Sequence, residues 1–216
     1  MVFRAGLLPL LLGSVALAGC AREGELVVNQ GVGITAVLSS CPAVGIPDYT
    51  GDMTTFRSAG DRSYANLDVS AAITNLRSTC DESGEKVYSE ATFDVVALRK
   101  DTSGARSVTL PYFVTVLRGG SAVVTKRVGQ VTLNFADGSA RAQASGKAGS
   151  FVDRAAATLP EDIREKITRR RRAGDVDAAL DPLAAPEVKA AIQRTSFEML
   201  IGFQLTEDQL AYNVTR

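Results

Sequence analysis

The stretch Leu67-Asp68-Val69-Ser70-Ala71-Ala72-Ile73-Thr74 decides the fold class. Leu67, Val69, Ala71 and Ile73 take alternate positions, and Asp68, Ser70 and Thr74 take the others, with Ala72 the exception. Side chains of a strand point to the two faces of a sheet in turn, so a period of two reads as a half-buried strand. The pattern recurs downstream. Phe93, Val95 and Ala97 alternate with Thr92, Asp94 and Val96; Val108, Leu110, Tyr112, Val114 and Val116 form a stripe; Val131, Leu133 and Phe135 alternate with Thr132 and Asn134. Pro111 lacks an N–H and predicts an edge strand or a bulge. Val124 and Val128 stand out of phase with Val131, which predicts a bulge at Gly129.

Turn signals separate these runs: Cys41-Pro42, Ile46-Pro47-Asp48, Ser83-Gly84, Ser103-Gly104, Gly119-Gly120 and Asp137-Gly138. Short alternating strands at such spacing predict an antiparallel β-sandwich, immunoglobulin-like or related. Asp137-Gly138 reads as a tight hairpin turn. Residues 139–149 read as a strand only because their alanines alternate with polar residues. Residues 41–66 read as a long connection holding Tyr49, Phe56 and Tyr64, either a binding loop or a loop pinned to the sandwich by its aromatics.

After about residue 155 the period changes. Thr158-Leu159-Pro160-Glu161 has the form of a capping box, and Leu159, Ile163 and Ile167 recur every four residues. Arg169 to Arg172 would complement the carboxyl end of that helix, with Ala173-Gly174 as its stop. A second short helix is expected from Asp175 to about Leu180, and a third from Pro186-Glu187 with Val188, Ala191, Ile192 and Thr195 on one face. Phe197, Met199, Ile201, Phe203 and Leu205 then form the most apolar strand of the chain. It belongs inside the sheet begun earlier, so residues 155–195 or so are a helical insertion. Thr206 to Gln209 reads as a turn and Leu210 to Val214 as a last strand. The mature part is thus one domain, 32–216.

Composition narrows the function classes. The 216 residues carry 24 basic and 24 acidic groups, three cysteines, no histidine and no tryptophan. Balanced charge argues against a nucleic-acid binder. The missing histidine excludes His-based triads and His-ligated metal. No nucleophile-elbow or phosphate-loop motif is present. Asp175, Asp177 and Asp181 invite a calcium reading, but their spacing fails after the second aspartate. No metal or cofactor is expected. Asn213-Val214-Thr215 matches a glycosylation sequon.

The first twenty residues read as an address. Arg4 gives a short basic start, Ala5 to Ala16 is apolar but shorter than the roughly 20 residues of a membrane span, and Leu17-Ala18-Gly19-Cys20 follows. Those four residues resemble the lipobox of bacterial lipoproteins. The resemblance covers residues 1–20 alone. It implies cleavage of a 1–19 signal peptide, acylation of Cys20 by fatty chains such as palmitate, and a tether over 20–31. Several acyl chains, at about 0.8 kcal/mol per buried CH₂, hold a protein stably to a bilayer. In that family Ala21 in place of aspartate implies the periplasmic face of the outer membrane rather than the inner one. Losing residues 1–19 removes Arg4 and no acid, which leaves 23 basic and 24 acidic groups.

Cys41 and Cys80 remain, an even pair that predicts a disulfide in an oxidising compartment. Arg169, Arg170, Arg171 and Arg172 are the most conspicuous cluster. They read either as a contact for an anionic lipid or an envelope protein, or as a solvated helix end balanced by Asp175, Asp177 and Asp181. The functional expectation is a non-enzymatic, lipid-anchored periplasmic protein with a structural or interaction role. The alternative is a carrier of a small apolar or lipid ligand, with a hydrolase ranked below both.

Overall fold

The computed structural model describes residues 39–215 apart from 59 and 173. Two four-stranded sheets face each other. One has the order β1 (Ala43–Gly45), β8 (Phe197–Phe203), β5 (Arg106–Arg118), β6 (Ala122–Phe135). The other has the order β2 (Asp52–Phe56), β3 (Leu67–Asp81), β4 (Lys86–Arg99), β7 (Arg141–Asp153). Pairing is antiparallel except between β1 and β8. The expected β-sandwich is therefore what the chain builds. The apolar run Val32 to Leu38, which the sequence also offers as a strand, lies outside the described residues.

The alternating stripes form the core. Val69, Ala71 and Ile73 of β3, Phe93, Val95 and Ala97 of β4, and Val131, Leu133 and Phe135 of β6 meet Met199, Ile201 and Phe203 of β8, all buried. β8 lies between β1 and β5, so the last apolar strand does return to the first sheet. The inserted segment is real: α1 (Glu161–Thr168) and α2 (Pro186–Thr195) stand between β7 and β8.

Two cross-strand pairs in this core join a glycine to an aromatic ring. Gly146 of β7 stands opposite Phe93, and Gly129 of β6 opposite Tyr112. A Cβ on Gly146 would fall 2.2 Å from the Phe93 ring, and one on Gly129 would fall 2.5 Å from that of Tyr112. The two rings meet edge to face, 5.1 Å between centroids, a favoured geometry for aromatic pairs.

Several local expectations are corrected. β5 is an inner strand, and Pro111 is tolerated because it sits one residue beyond the last β5–β8 pair, where its carbonyl still accepts from the Gln204 amide at 2.9 Å. Gly129 pairs in register. The bulge falls at Val124, between the pairs Val116–Thr125 and Leu117–Val123, and Val124 and Val128 are exposed rather than inward. The 136–139 turn, with Gly138 at φ 73°, carries the chain from one sheet to the other and is no hairpin. Arg99 explains the crossing. It is 3% exposed and donates to the carbonyls of Ser139, Thr102 and Ala136 at 2.8–2.9 Å, which gathers both sheet-crossing turns around one guanidinium.

The long 41–66 connection contains β1 and β2, too short for periodicity to reveal. Thr158 does not cap α1: its hydroxyl donates to the Arg154 carbonyl at 2.7 Å, and Pro160 holds the cap position. Asp175 to Leu180 forms successive turns, followed by a 3₁₀ turn over Pro182–Ala184. The expected last strand is helix α3 (Glu207–Thr215). Its capping box was the signal overlooked. The Thr206 hydroxyl accepts from the Gln209 amide at 3.3 Å, and the Gln209 side chain accepts from the Thr206 amide at 3.0 Å.

Candidate functional site

Cys20 and the signal segment lie outside the described residues. The described chain begins beside the expected bridge: Cys41 and Cys80 are joined, 39 residues apart in sequence, with Cα atoms 6.1 Å apart. Ser40 donates from both its hydroxyl and its amide to Glu82, at 2.9 and 3.2 Å, which holds that carboxyl below its ordinary range. The chain from residue 39 is thus fixed to the β3–β4 hairpin before it enters β1.

The arginine run follows α1 rather than ending it. Arg169 and Arg171 converge on Asp177, and Arg171 also donates to the Lys166 carbonyl at 3.3 Å. The Arg171 side chain is 7% exposed. Burial pushes the Asp177 carboxyl up, but the Arg169 hydrogen bond and charge outweigh that and leave it lowered. Arg172 turns its amide to Asp175 at 2.9 Å, and Arg170 also has a partner. The four arginines therefore do not form one free cationic patch. Asp175, Asp177 and Asp181 are each engaged locally, the last capping Leu183 at 2.9 Å. No cluster of metal-ligand residues occurs among the described residues.

Beside this run the insertion forms a cleft of about 1160 Å³. Its apolar lining includes Ile163, Leu180, Pro182 and Ala184. Its charged rim carries Lys166 paired with Glu187, and the Arg169–Asp177 pair. The space between the sheets is filled by Phe93, Leu133, Phe135, Met199 and Phe203, so this ligand-sized cleft belongs to the helices and not to the sandwich interior.

The outer face of the β2-β3-β4-β7 sheet carries a charge-paired row. Glu90 meets Lys147 at 2.7 Å and accepts from the Tyr88 hydroxyl at 2.9 Å. Asp94 accepts from Asn75 and from Ser145, both at 2.8 Å. Both carboxyls are held down, Glu90 chiefly by Lys147 and Asp94 chiefly by Asn75. Beyond this row lies a shallow trough of about 450 Å³ lined by Ser70, Ala72, Val96 and Leu98.

The loop aromatics divide. Phe56 packs edge-on against Tyr212 of α3 at 5.3 Å, whereas Tyr49 and Tyr64 are exposed. Lys100 lies 4.2 Å from the Tyr64 ring and donates to its carbonyl. Asn213 of the sequon is buried, and its amide donates to the Tyr49 and Asp52 carbonyls at 2.7 and 2.8 Å. That amide holds α3 against β2 and is closed to a glycan. No helix among the described residues is long and apolar enough to cross a membrane. Comparison of the chain with protein-family models, with curated proteins and with solved structures yields no match.

Proposed function

We propose that the chain is an exported protein, moored through lipid on Cys20 to the periplasmic face of the outer membrane, whose β-sandwich binds another envelope component rather than catalysing a reaction. The observation that carries the proposal is the Cys41–Cys80 bridge. Such bridges persist in oxidising compartments and are rare in the cytosol. This one leaves Cys20 as the remaining cysteine, in the position that the lipobox resemblance assigns to the acylated residue.

The test is mass spectrometry of the amino terminus of protein recovered from membranes. An acylated cysteine at position 20 is expected, and Cys20→Ala should release the protein from the membrane fraction. An unmodified Met1 terminus in the soluble cytosolic fraction would overturn the reading. The insertion cleft favours the second reading, a binder of a small apolar or lipid ligand. Native mass spectrometry of the purified protein would reveal such a ligand as an added mass, lost in Leu180→Glu.

A further inference from the structure

We infer that the first half of β6, residues 122–128, is a docking edge for an extended acidic segment of a partner protein, added as a ninth strand. Among the described residues, β6 ends its sheet and pairs with β5 alone. The direction of its free backbone groups follows from the ladder. The Pro111 carbonyl accepts from Gln204, and the Gly119 amide donates to Ser196, so odd residues of β5 bond toward β8. On the carboxyl side of the bulge at Val124, even residues of β5 therefore bond toward β6 through its odd residues. That turns the N–H and C=O of Lys126 and Val128 to the open side. Unpaired edges of this kind are templates for another strand.

The other edges are less available. β1 has three residues, and β2 is covered by α3. On β7 the Lys147 carbonyl already accepts from the Tyr112 hydroxyl at 3.1 Å. That contact crosses beside Gly129, so it leaves residues 122–128 of β6 clear. The bulge at Val124 divides this edge, and its regular part runs from Thr125 to Val128, roughly 13 Å at about 3.3 Å per residue, with Val123 and Val124 flanking it.

The side chains define the partner. Val123, Val124 and Val128 are 64%, 55% and 58% exposed, an unusual grouping for solvated valines. Lys126 and Arg127 stand among them, and β6 contains no acid. Two copies of this edge would set like charges against each other, which disfavours self-pairing. Lys126 and Val128 share the outer face and Arg127 takes the other, so a strand with glutamate or aspartate on one face and apolar residues on the other sets an acid beside one of the two cations in either orientation. This inference deepens the interaction reading above and rests on it for the setting. Its test uses the purified full chain in detergent, so its failure and failure of acylation at Cys20 are separate results.

The probe is a seven-residue peptide alternating valine with glutamate, followed by fluorescence anisotropy at low salt. Binding is expected, at least tenfold tighter than to a peptide alternating valine with lysine. Val128→Pro removes one outward N–H and should weaken binding at least tenfold. Lys126→Glu with Arg127→Glu should invert the preference between the two peptides, and it keeps the inference testable if Val128→Pro does not fold. No binding at millimolar peptide, equal affinity for both peptides, or a charge-reversed protein that keeps its preference would each overturn it. So would sedimentation showing a dimer that Val128→Pro dissolves, because the occupant would then be a second copy.

Discussion

Gly146→Ala tests the packing of the sandwich at its tightest point. The new methyl would lie 2.2 Å from Cζ and 2.4 Å from Cε2 of Phe93, inside contact distance. Phe93 is 1% exposed and is held by Tyr112 edge-on, so its ring has little room to withdraw. Overpacking of this kind costs about 1–3 kcal/mol, and the upper half of that range is expected here. Phe93→Leu deletes the ring atoms that collide and by itself costs about 1–2 kcal/mol for lost packing. In the Phe93→Leu background the three atoms nearest the extra methyl are absent, so the double variant should regain at least about 1 kcal/mol relative to the sum of the single changes. The assay is urea unfolding of all four proteins, comparing midpoints at constant m. If the two effects add within about 0.5 kcal/mol, the ring and the glycine are not in the contact described, and the reasoning fails.

Three further outcomes are expected. Cys41→Ser with Cys80→Ser should lower stability by about 4 kcal/mol, since the bridge closes 39 residues; dithiothreitol should reproduce the loss in the native protein and leave the double variant unchanged. Arg99→Ala should cost at least about 3 kcal/mol by urea unfolding, because it strips three carbonyls of one shared donor, and Arg99→Lys should not restore the full value. Asp68 is lowered first by its hydrogen bond with Arg106, at 2.6 and 2.7 Å, so the unfolded state takes up its proton before the folded state. The stability it lends is present above about pH 4 and declines as pH falls through the lower folded value. Asp68→Asn should flatten the stability profile in that acid window and leave its shape above about pH 5 unchanged.

The strands that periodicity disclosed are those long enough to show it. β3 to β6 and β8 each carry three or more inward apolar residues. β1 and β2 hold three and five residues and owe their form to neighbours already in place. Gly129 misled because its missing side chain suggested a bulge, whereas the gap houses the Tyr112 ring. Asp137-Gly138 misled because turn chemistry fixes local φ but not which sheet the chain joins next. That choice depends on Arg99, distant in sequence. Leu210 to Val214 looked strand-like on composition, yet Thr206 and Gln209 state a helix start in the sequence itself. The Cys41–Cys80 pairing was legible from the even pair left once Cys20 is set aside and from the export that the first twenty residues lead one to expect. The β6 edge was not, because the outward phase of Val128 follows from the strand register and that of Val123 from the bulge at Val124.

The position of the bridge governs how force would enter the molecule. A pull on the amino-terminal side reaches Cys41 before it reaches β1, and the covalent link diverts it into β3. β1 has only three residues and would peel easily if loaded directly. β3 has fifteen, and its ladder with β4 runs from Asp81 back to Val69, so the load enters a far longer set of pairs. A body wired this way, pulled from its amino-terminal side, should resist stretching far better when oxidised than when reduced.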